Sequence, residues 1–225
     1  DWQDRNTCIL FGDGAGAFVL QASEIPGGVL SGVMRSDGSG SDLLTLPAGG
    51  SYMPASLETV QQGMHFIKMN GREVFRFATR VMAHATREAV EKANLKLDDI
   101  HLIIPHQANL RIIEAAARNL AIPMDRCVVN LERYGNTSTA SIPIATVEAI
   151  EQGRLKPEDR VVIVGFGAGL TWGAMVIQWS GPILPKRMVY PRGYRSWVRV
   201  RSWMRRALRF VEGLIWGRDR PEICN

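Results

Sequence analysis

Two side chains carry the chemistry this sequence can support. His106 follows the apolar run Ile103-Ile104 and Pro105, ahead of a helical segment. Asn136 follows Tyr134-Gly135 and precedes Thr137, Ser138 and Thr139. Each stands just past the carboxyl end of a strand-like run, where open α/β sheets place ligands. Parallel neighbouring strands would bring the two together. A His and an Asn side by side offer two N–H donors to one oxygen, which suits a thioester oxyanion or an enolate. Taken alone, Asn136 reads as the N-cap of the helix behind it, and a lone His at a strand end is more often structural. No acid or second His is spaced to complete a metal site. His65, His84 and His101 read as structural.

No nucleophile accompanies the pair. Cys8 lies within an apolar run, Cys127 begins another, and Cys224 is near the end of the chain. None opens a helix, the setting that makes a reactive thiolate. Three scattered cysteines form neither a disulfide framework nor a CxxC pair, which fits a reducing, cytoplasmic setting. The Gly-rich run GDGAGA at 12–17 lacks the Lys-Ser/Thr of a phosphate loop and leads into a strand-like run. Its glycines read as points where two backbones approach too closely for side chains.

The elements that must position these residues alternate. Residues 7–20 read as two buried strands around a Gly-rich turn, and 26–63 as loops and strand fragments. Helices are predicted over 70–94, 108–120 and 139–152, and strands over 100–104, 127–131, 160–164 and 174–179. Strands alternating with helices give an α/β fold with sheet between helices. The runs 7–21 and 161–179 share a plan of apolar strand, Gly-rich turn and apolar strand, as if they closed two duplicated halves.

Over 225 residues the composition is that of a globular protein, with 46% hydrophobic and 22% charged residues. The formal charge of +5 is uneven: residues 182–225 hold 11 of the 27 Lys/Arg and 3 of the 22 Asp/Glu. The body is therefore slightly acidic, and nucleic-acid binding does not follow from the total. From about 195 to 216 the tail patterns as a basic amphipathic helix with Trp197 on its apolar face, a form that suits an anionic membrane surface. Three segments are expected: 1–20, the end of a first half; 21–181, carrying the His/Asn pair; and the tail, 182–225. Without a starting Met, the chain reads as the back part of something longer.

Five stretches, ILFGDGAGA (9–17), NGREVFRFA (70–78), IIPHQANLRII (103–113), NLERYGNTSTASIP (130–143) and GFGAGLTWGA (165–174), resemble β-ketoacyl-acyl carrier protein synthase III. The resemblance covers residues 1–180 and implies a thiolase-like fold, of which this chain would be the C-terminal half. It implies an acyltransferase that initiates fatty acid synthesis by decarboxylative condensation of an acyl-CoA with malonyl-acyl carrier protein. His106 and Asn136 match the pair that holds the malonyl thioester oxygen, and the Ala168 N–H matches an oxyanion donor. Arg5, Gly71, Arg72, Phe75, Ala108, Asn109 and Ile112 match positions around CoA and pantetheine, with Asn109 touching the His/Asn pair. Gln107, Ala108, Asn109, Leu110 and Arg111 resemble the carrier-docking segment, with Arg76 a further basic candidate. No cofactor is implied beyond the CoA and phosphopantetheine thioesters, and a homodimer is. The family's nucleophilic Cys would lie upstream of Asp1. A related polyketide-starter or hydroxymethylglutaryl-type ketosynthase, or a non-catalytic half that binds the carrier, are the other readings.

Overall fold

The computed structural model describes residues 1–24 and 26–181, and in the tail the helical residues 200, 201, 203, 204 and 207. The chain divides into two units, Asp1–Pro182 and Ile183–Asn225. The amphipathic reading of 195–216 falls almost wholly outside the described residues. No described helix is long and apolar enough to cross a membrane.

In chain order the elements of the first unit are β1 (Gly28–Ser36), β2 (Leu44–Thr45), α1 (Leu57–Gln61), β3 (Lys68–Met69) and α2 (Gly71–Lys92). They continue with β4 (Leu102–Pro105), α3 (Leu110–Leu120), α4 (Leu131–Tyr134), α5 (Ser141–Glu151), β5 (Arg160–Gly167) and β6 (Thr171–Gln178). One mixed sheet has the order β1-β6-β5-β4, with β4 parallel to β5 and the other pairs antiparallel. A small antiparallel pair, β2 with β3, stands apart.

Helix α2 begins where the Asn70 side chain accepts the Glu73 N–H, and it buries Val74, Phe77, Val81, Ala85 and Ala89 as the spacing predicts. Helix α3 starts two residues later than predicted. Asn109, not Ala108, supplies the cap by accepting the Arg111 N–H at 2.9 Å. It ends at Ala121, whose left-handed φ of 57° precedes Ile122-Pro123.

Alternation along the strands sorts the core. Ile103, Val162 and Val176 pack with Met82 and Ile113 on the face of α2 and α3. Leu102, Ile104 and Val161 pack with Ala145 and Ala149 of α5 on the opposite face. The sheet is thus sandwiched between helices, as the alternating pattern requires. Each large aliphatic side chain buried this way contributes about 1.5–3 kcal/mol.

Two predicted strand regions fold otherwise. Residues 4–10 form turns, with Cys8 N–H donating to Asp4 C=O at 3.0 Å and Leu10 N–H to Thr7 C=O at 3.1 Å. Phe11 makes a single bridge to Asn136, and Val19 and Leu20 are exposed. An apolar run becomes a strand only where a neighbour takes its N–H and C=O groups, and what lies alongside among the described residues is the loop around Asn136 and the start of α5, not a strand. Of the two similar runs, the later one folds as the β5–β6 hairpin and the earlier one does not. The strand predicted over 127–131 shrinks to one parallel bridge, Ile103 with Cys127, before α4 begins at Leu131.

Candidate active site

His106 leaves β4 while still held to the sheet, its N–H donating to Val164 C=O at 2.8 Å. The Nδ1 atom lies 2.7 Å from Ser141 Oγ. The Phe166 ring meets the imidazole edge to face, with centroids 5.5 Å apart. Burial lowers the His106 pKa from 6.5 to about 4, so the ring is uncharged near neutrality.

Asn136 is fixed from both sides of its peptide group. Its N–H donates to Leu10 C=O and its C=O accepts from Gly12 N–H, both at 3.0 Å. Its Oδ1 accepts the Ser138 N–H at 2.9 Å, which leaves Nδ2 as the donor end of the side chain. Asn136 is therefore not the N-cap of the following helix. It caps a local turn, while α5 opens at Ser141 behind Ala140.

The glycines of 12–16 make this approach possible. A Cβ on Gly12 would collide with the carbonyl oxygen of Tyr134, and one on Gly14 would sit 2.9 Å from Thr137 Cγ2. The run serves backbone contact rather than phosphate binding, in line with its sequence reading.

Buried polar groups brace the two segments against each other. Val128 N–H donates to Ile103 C=O at 2.9 Å, which makes the expected parallel neighbours of a minimal kind. Gln107, 1% exposed, donates from Nε2 to Pro105 C=O at 2.8 Å and Val128 C=O at 3.0 Å, and accepts the Asn130 N–H at 3.0 Å. Glu148, buried on α5, accepts from Asn130 Nδ2 at 2.8 Å and from Arg133 and the Tyr134 hydroxyl at 2.7 Å each. The turn leading into Asn136 is thereby anchored to α5.

His106 and Asn136 line one cavity of about 1340 Å³. Gly71, Arg72, Phe75, Ala108, Asn109, Ile112 and Ala168 line it too, so nine of the residues picked from sequence converge. Arg5 does not: it is exposed on a turn between Asp4 and Asn6, which do line the cavity. Gln107, assigned to carrier docking from sequence, has its side chain buried and its amide committed to three backbone groups. Leu110 and Arg111 are exposed at the start of α3. Arg76 is exposed and paired with Glu73 at 3.1 Å.

The described cysteines, Cys8 and Cys127, do not line the cavity. Burial pushes the Cys127 thiol up to about 11, which keeps it inert. Sequence reasoning missed Ser141 and Phe166, which touch the His106 ring, and the apolar wall from Leu44, Leu46 and Ile67. Phe166 lies inside the GFGAG stretch, whose only assigned donor was the backbone of Ala168.

The arrangement offers two neutral side chains able to donate N–H groups, on the wall of a largely apolar cavity whose charged lining, Lys68 and Arg72 against Asp4 and Asp42, balances. It can stabilise charge that develops on an oxygen.

The family profile described as "3-Oxoacyl-[acyl-carrier-protein (ACP)] synthase III C terminal" matches residues 90–179. The profile described as "3-Oxoacyl-[acyl-carrier-protein (ACP)] synthase III" matches residues 1–38. The β-ketoacyl-[acyl-carrier-protein] synthase III of Roseiflexus sp. is 56% identical over 180 residues, 80% of this chain and 55% of that protein. The crystal structure of the 3-oxoacyl-[acyl-carrier-protein] synthase III of Aquifex aeolicus superposes with a TM-score of 0.71 at 44% identity, covering 80% of this chain and 53% of that one. The priming β-ketosynthase of a polyketide biosynthetic pathway superposes with a TM-score of 0.70 at 35% identity, covering 81% and 54%. The chain spans about half the length of the relatives it matches.

Proposed function

Because the chain belongs to the 3-oxoacyl-[acyl-carrier-protein] synthase III family, we propose that it carries the malonyl-decarboxylating part of a condensing acyltransferase that initiates fatty acid synthesis. The observation behind this reading is that His106 and Asn136 line one cavity, the first held neutral and the second with its carboxamide oxygen already engaged.

The malonyl thioester carbonyl oxygen accepts from His106 and from Asn136 Nδ2. As the bond between the α-carbon and the carboxylate breaks, CO2 leaves. The electron pair moves onto the thioester as an enolate. Neutral donors suit this step, because charge on that oxygen grows only toward the transition state. The enolate carbon then attacks the carbonyl of an acyl thioester, forming the new C–C bond as the C–S bond breaks and the thiolate leaves, or it takes a proton from water to give an acetyl thioester. Ala168, on the lining of the same cavity, supplies its N–H as an oxyanion donor. Gly71, Arg72, Phe75, Ala108 and Ile112 enclose the pantetheine arm. Asn109 lies beside the pair, and Arg5 waits outside for the nucleotide end of CoA.

The substrates are CoA and carrier-protein thioesters, with no further cofactor. The partners are an acyl carrier protein, docked at Leu110 and Arg111, and a second copy of the chain. The working place is the cytoplasm. The basic tail adds contact with an anionic membrane surface, a reading that rests on sequence alone; co-sedimentation with anionic liposomes, with and without residues 183–225, tests it. Neither described cysteine lines the cavity, so this chain alone is expected to form no ketoacyl product from acetyl-CoA and malonyl-carrier.

The deciding experiment is CO2 release from malonyl-CoA by the full chain. Wild type should release it, and His106→Ala and Asn136→Ala should each lose about 10²–10³-fold, the usual loss for one oxyanion donor. Equal rates in all three would end the reading. Likeness to the polyketide-priming enzyme leaves a polyketide starter as the second reading, distinguished by the acyl-CoA accepted by the assembled enzyme.

A further inference from the structure

Ser141, the first residue of α5, is 1% exposed. Its Oγ lies 2.7 Å from His106 Nδ1 and 3.3 Å from the backbone N of Gln107. The Gln107 N–H can only donate, so it occupies one lone pair of Oγ. Two arrangements remain for the contact with the ring. In one, the serine donates its proton to Nδ1, and the single imidazole proton resides on Nε2. In the other, Nδ1–H donates to Oγ, and the serine proton is left without an acceptor, since among the described residues Oγ has no third partner. A buried hydroxyl that cannot donate is costly, so the first arrangement prevails.

We propose that Ser141 is a positioning residue that holds His106 in the tautomer protonated on Nε2, making Nε2 the nitrogen that donates to a bound thioester oxygen. A ring nitrogen's proton is set by the bond its partner nitrogen makes. Without Ser141, the ring could place its proton on Nδ1 and turn a bare lone pair toward the oxygen, repelling the charge it should stabilise. Ser141 also closes the segment that begins at Asn136. One stretch of six residues therefore fixes the carboxamide at one end and the imidazole tautomer at the other. The inference rests on the reading of His106 as a donor, but its main readout does not.

The test is long-range 1H–15N correlation of the His106 ring in the labelled full chain at neutral pH. Wild type should show an unprotonated Nδ1 and a protonated Nε2. Ser141→Ala should mix or reverse the two forms, and Ser141→Thr, which keeps the hydroxyl, should restore them. In CO2 release from malonyl-CoA, Ser141→Ala should lower kcat by about 10-fold, part of the loss for a whole donor, with KM little changed. A wild-type ring protonated on Nδ1, or a Ser141→Ala ring identical to wild type, overturns the proposal. A shifted tautomer in Ser141→Ala, with CO2 release indifferent to His106→Ala, upholds the positioning and sinks the decarboxylation reading instead.

Discussion

Gly12 and Asn136 are joined backbone to backbone: the Gly12 N–H donates to the Asn136 C=O, while the Asn136 N–H returns to Leu10 C=O, each at 3.0 Å. A segment near one end of the chain therefore sets the height of a residue more than a hundred positions away. That pairing depends on the absence of a side chain, since a Cβ at Gly12 would collide with the carbonyl oxygen of Tyr134.

Gly12→Ala should push the two segments apart. Overpacking of this kind costs about 1–3 kcal/mol, read as a lower urea midpoint with an unchanged slope. Because Asn136 moves and His106 is held separately by β4, malonyl decarboxylation should fall while the His106 titration stays where it is. A Gly12→Ala chain of wild-type stability would show that the segment does not brace the site.

Glu148 gathers three donors, from Asn130, Arg133 and Tyr134. Glu148→Ala strands the buried Asn130 carboxamide, while exposed Arg133 and Tyr134 can turn to water, and should cost about 1–3 kcal/mol in denaturant unfolding. The bond to Glu148 is the main cause that raises the Tyr134 pKa above 10, because the phenol donates its proton to the carboxylate. In Glu148→Gln the phenol should titrate at lower pH, measured as the ultraviolet difference from Tyr134→Phe. The sign follows from linkage: a raised phenol stabilises the fold below its unfolded pKa and loses that contribution as pH rises through the folded value.

The main helices were legible because burial on one face imprints a 3.6-residue period, as at Val74, Phe77, Val81, Ala85 and Ala89. The sandwiching of the sheet was legible for a similar reason, since strands and helices alternate. Residues 7–20 carry an equally apolar pattern, yet their folding depends on a partner strand that local sequence does not specify. The docking role of Gln107 comes from the family resemblance of the whole segment Gln107 to Arg111. Only the tertiary fold reveals that it is turned inward to bond Pro105, Val128 and Asn130. Ser141 left no signal at all, because its partner is 35 residues away and a serine opening a helix is unremarked.

The buried imidazole gives stability its own pH dependence. His106 titrates at about 4 in the folded chain, lowered by burial, against 6.5 for an ordinary His. The unfolded chain takes up the proton first as pH falls. Stability from this group is therefore whole above about 6.5, declines between 6.5 and 4, and levels off below. The full difference is at most about 3 kcal/mol. His106→Gln should flatten the stability profile across that window, measured by urea unfolding at stepped pH. A wild-type His106 C2 proton titrating near 6.5 would contradict the buried, neutral ring.

Docking of the carrier should depend on Arg111 more than on Arg76. Both are exposed, but their electrostatic surroundings differ. Arg76 already shares its charge with Glu73 at 3.1 Å, one turn away on α2, so the potential it presents is partly cancelled. The Arg111 N–H is tied to Asn109 at the start of α3, which fixes its backbone, and its guanidinium forms no ion pair among the described residues. An acidic carrier approaching the cavity is steered by such uncancelled charge, and steering acts mainly on the association rate. Arg111→Glu should weaken carrier binding on the order of 10-fold at low salt, mostly through a slower on-rate, and the loss should shrink as salt screens the field. The charge-matched Arg76→Glu should have a much smaller effect, because Arg76 is held against Glu73 and is less free to reach the carrier. Stopped-flow binding of fluorescent malonyl-carrier at two ionic strengths separates the two arginines. Equal effects would mean that the carrier reads the summed charge of this face rather than the rim at the start of α3.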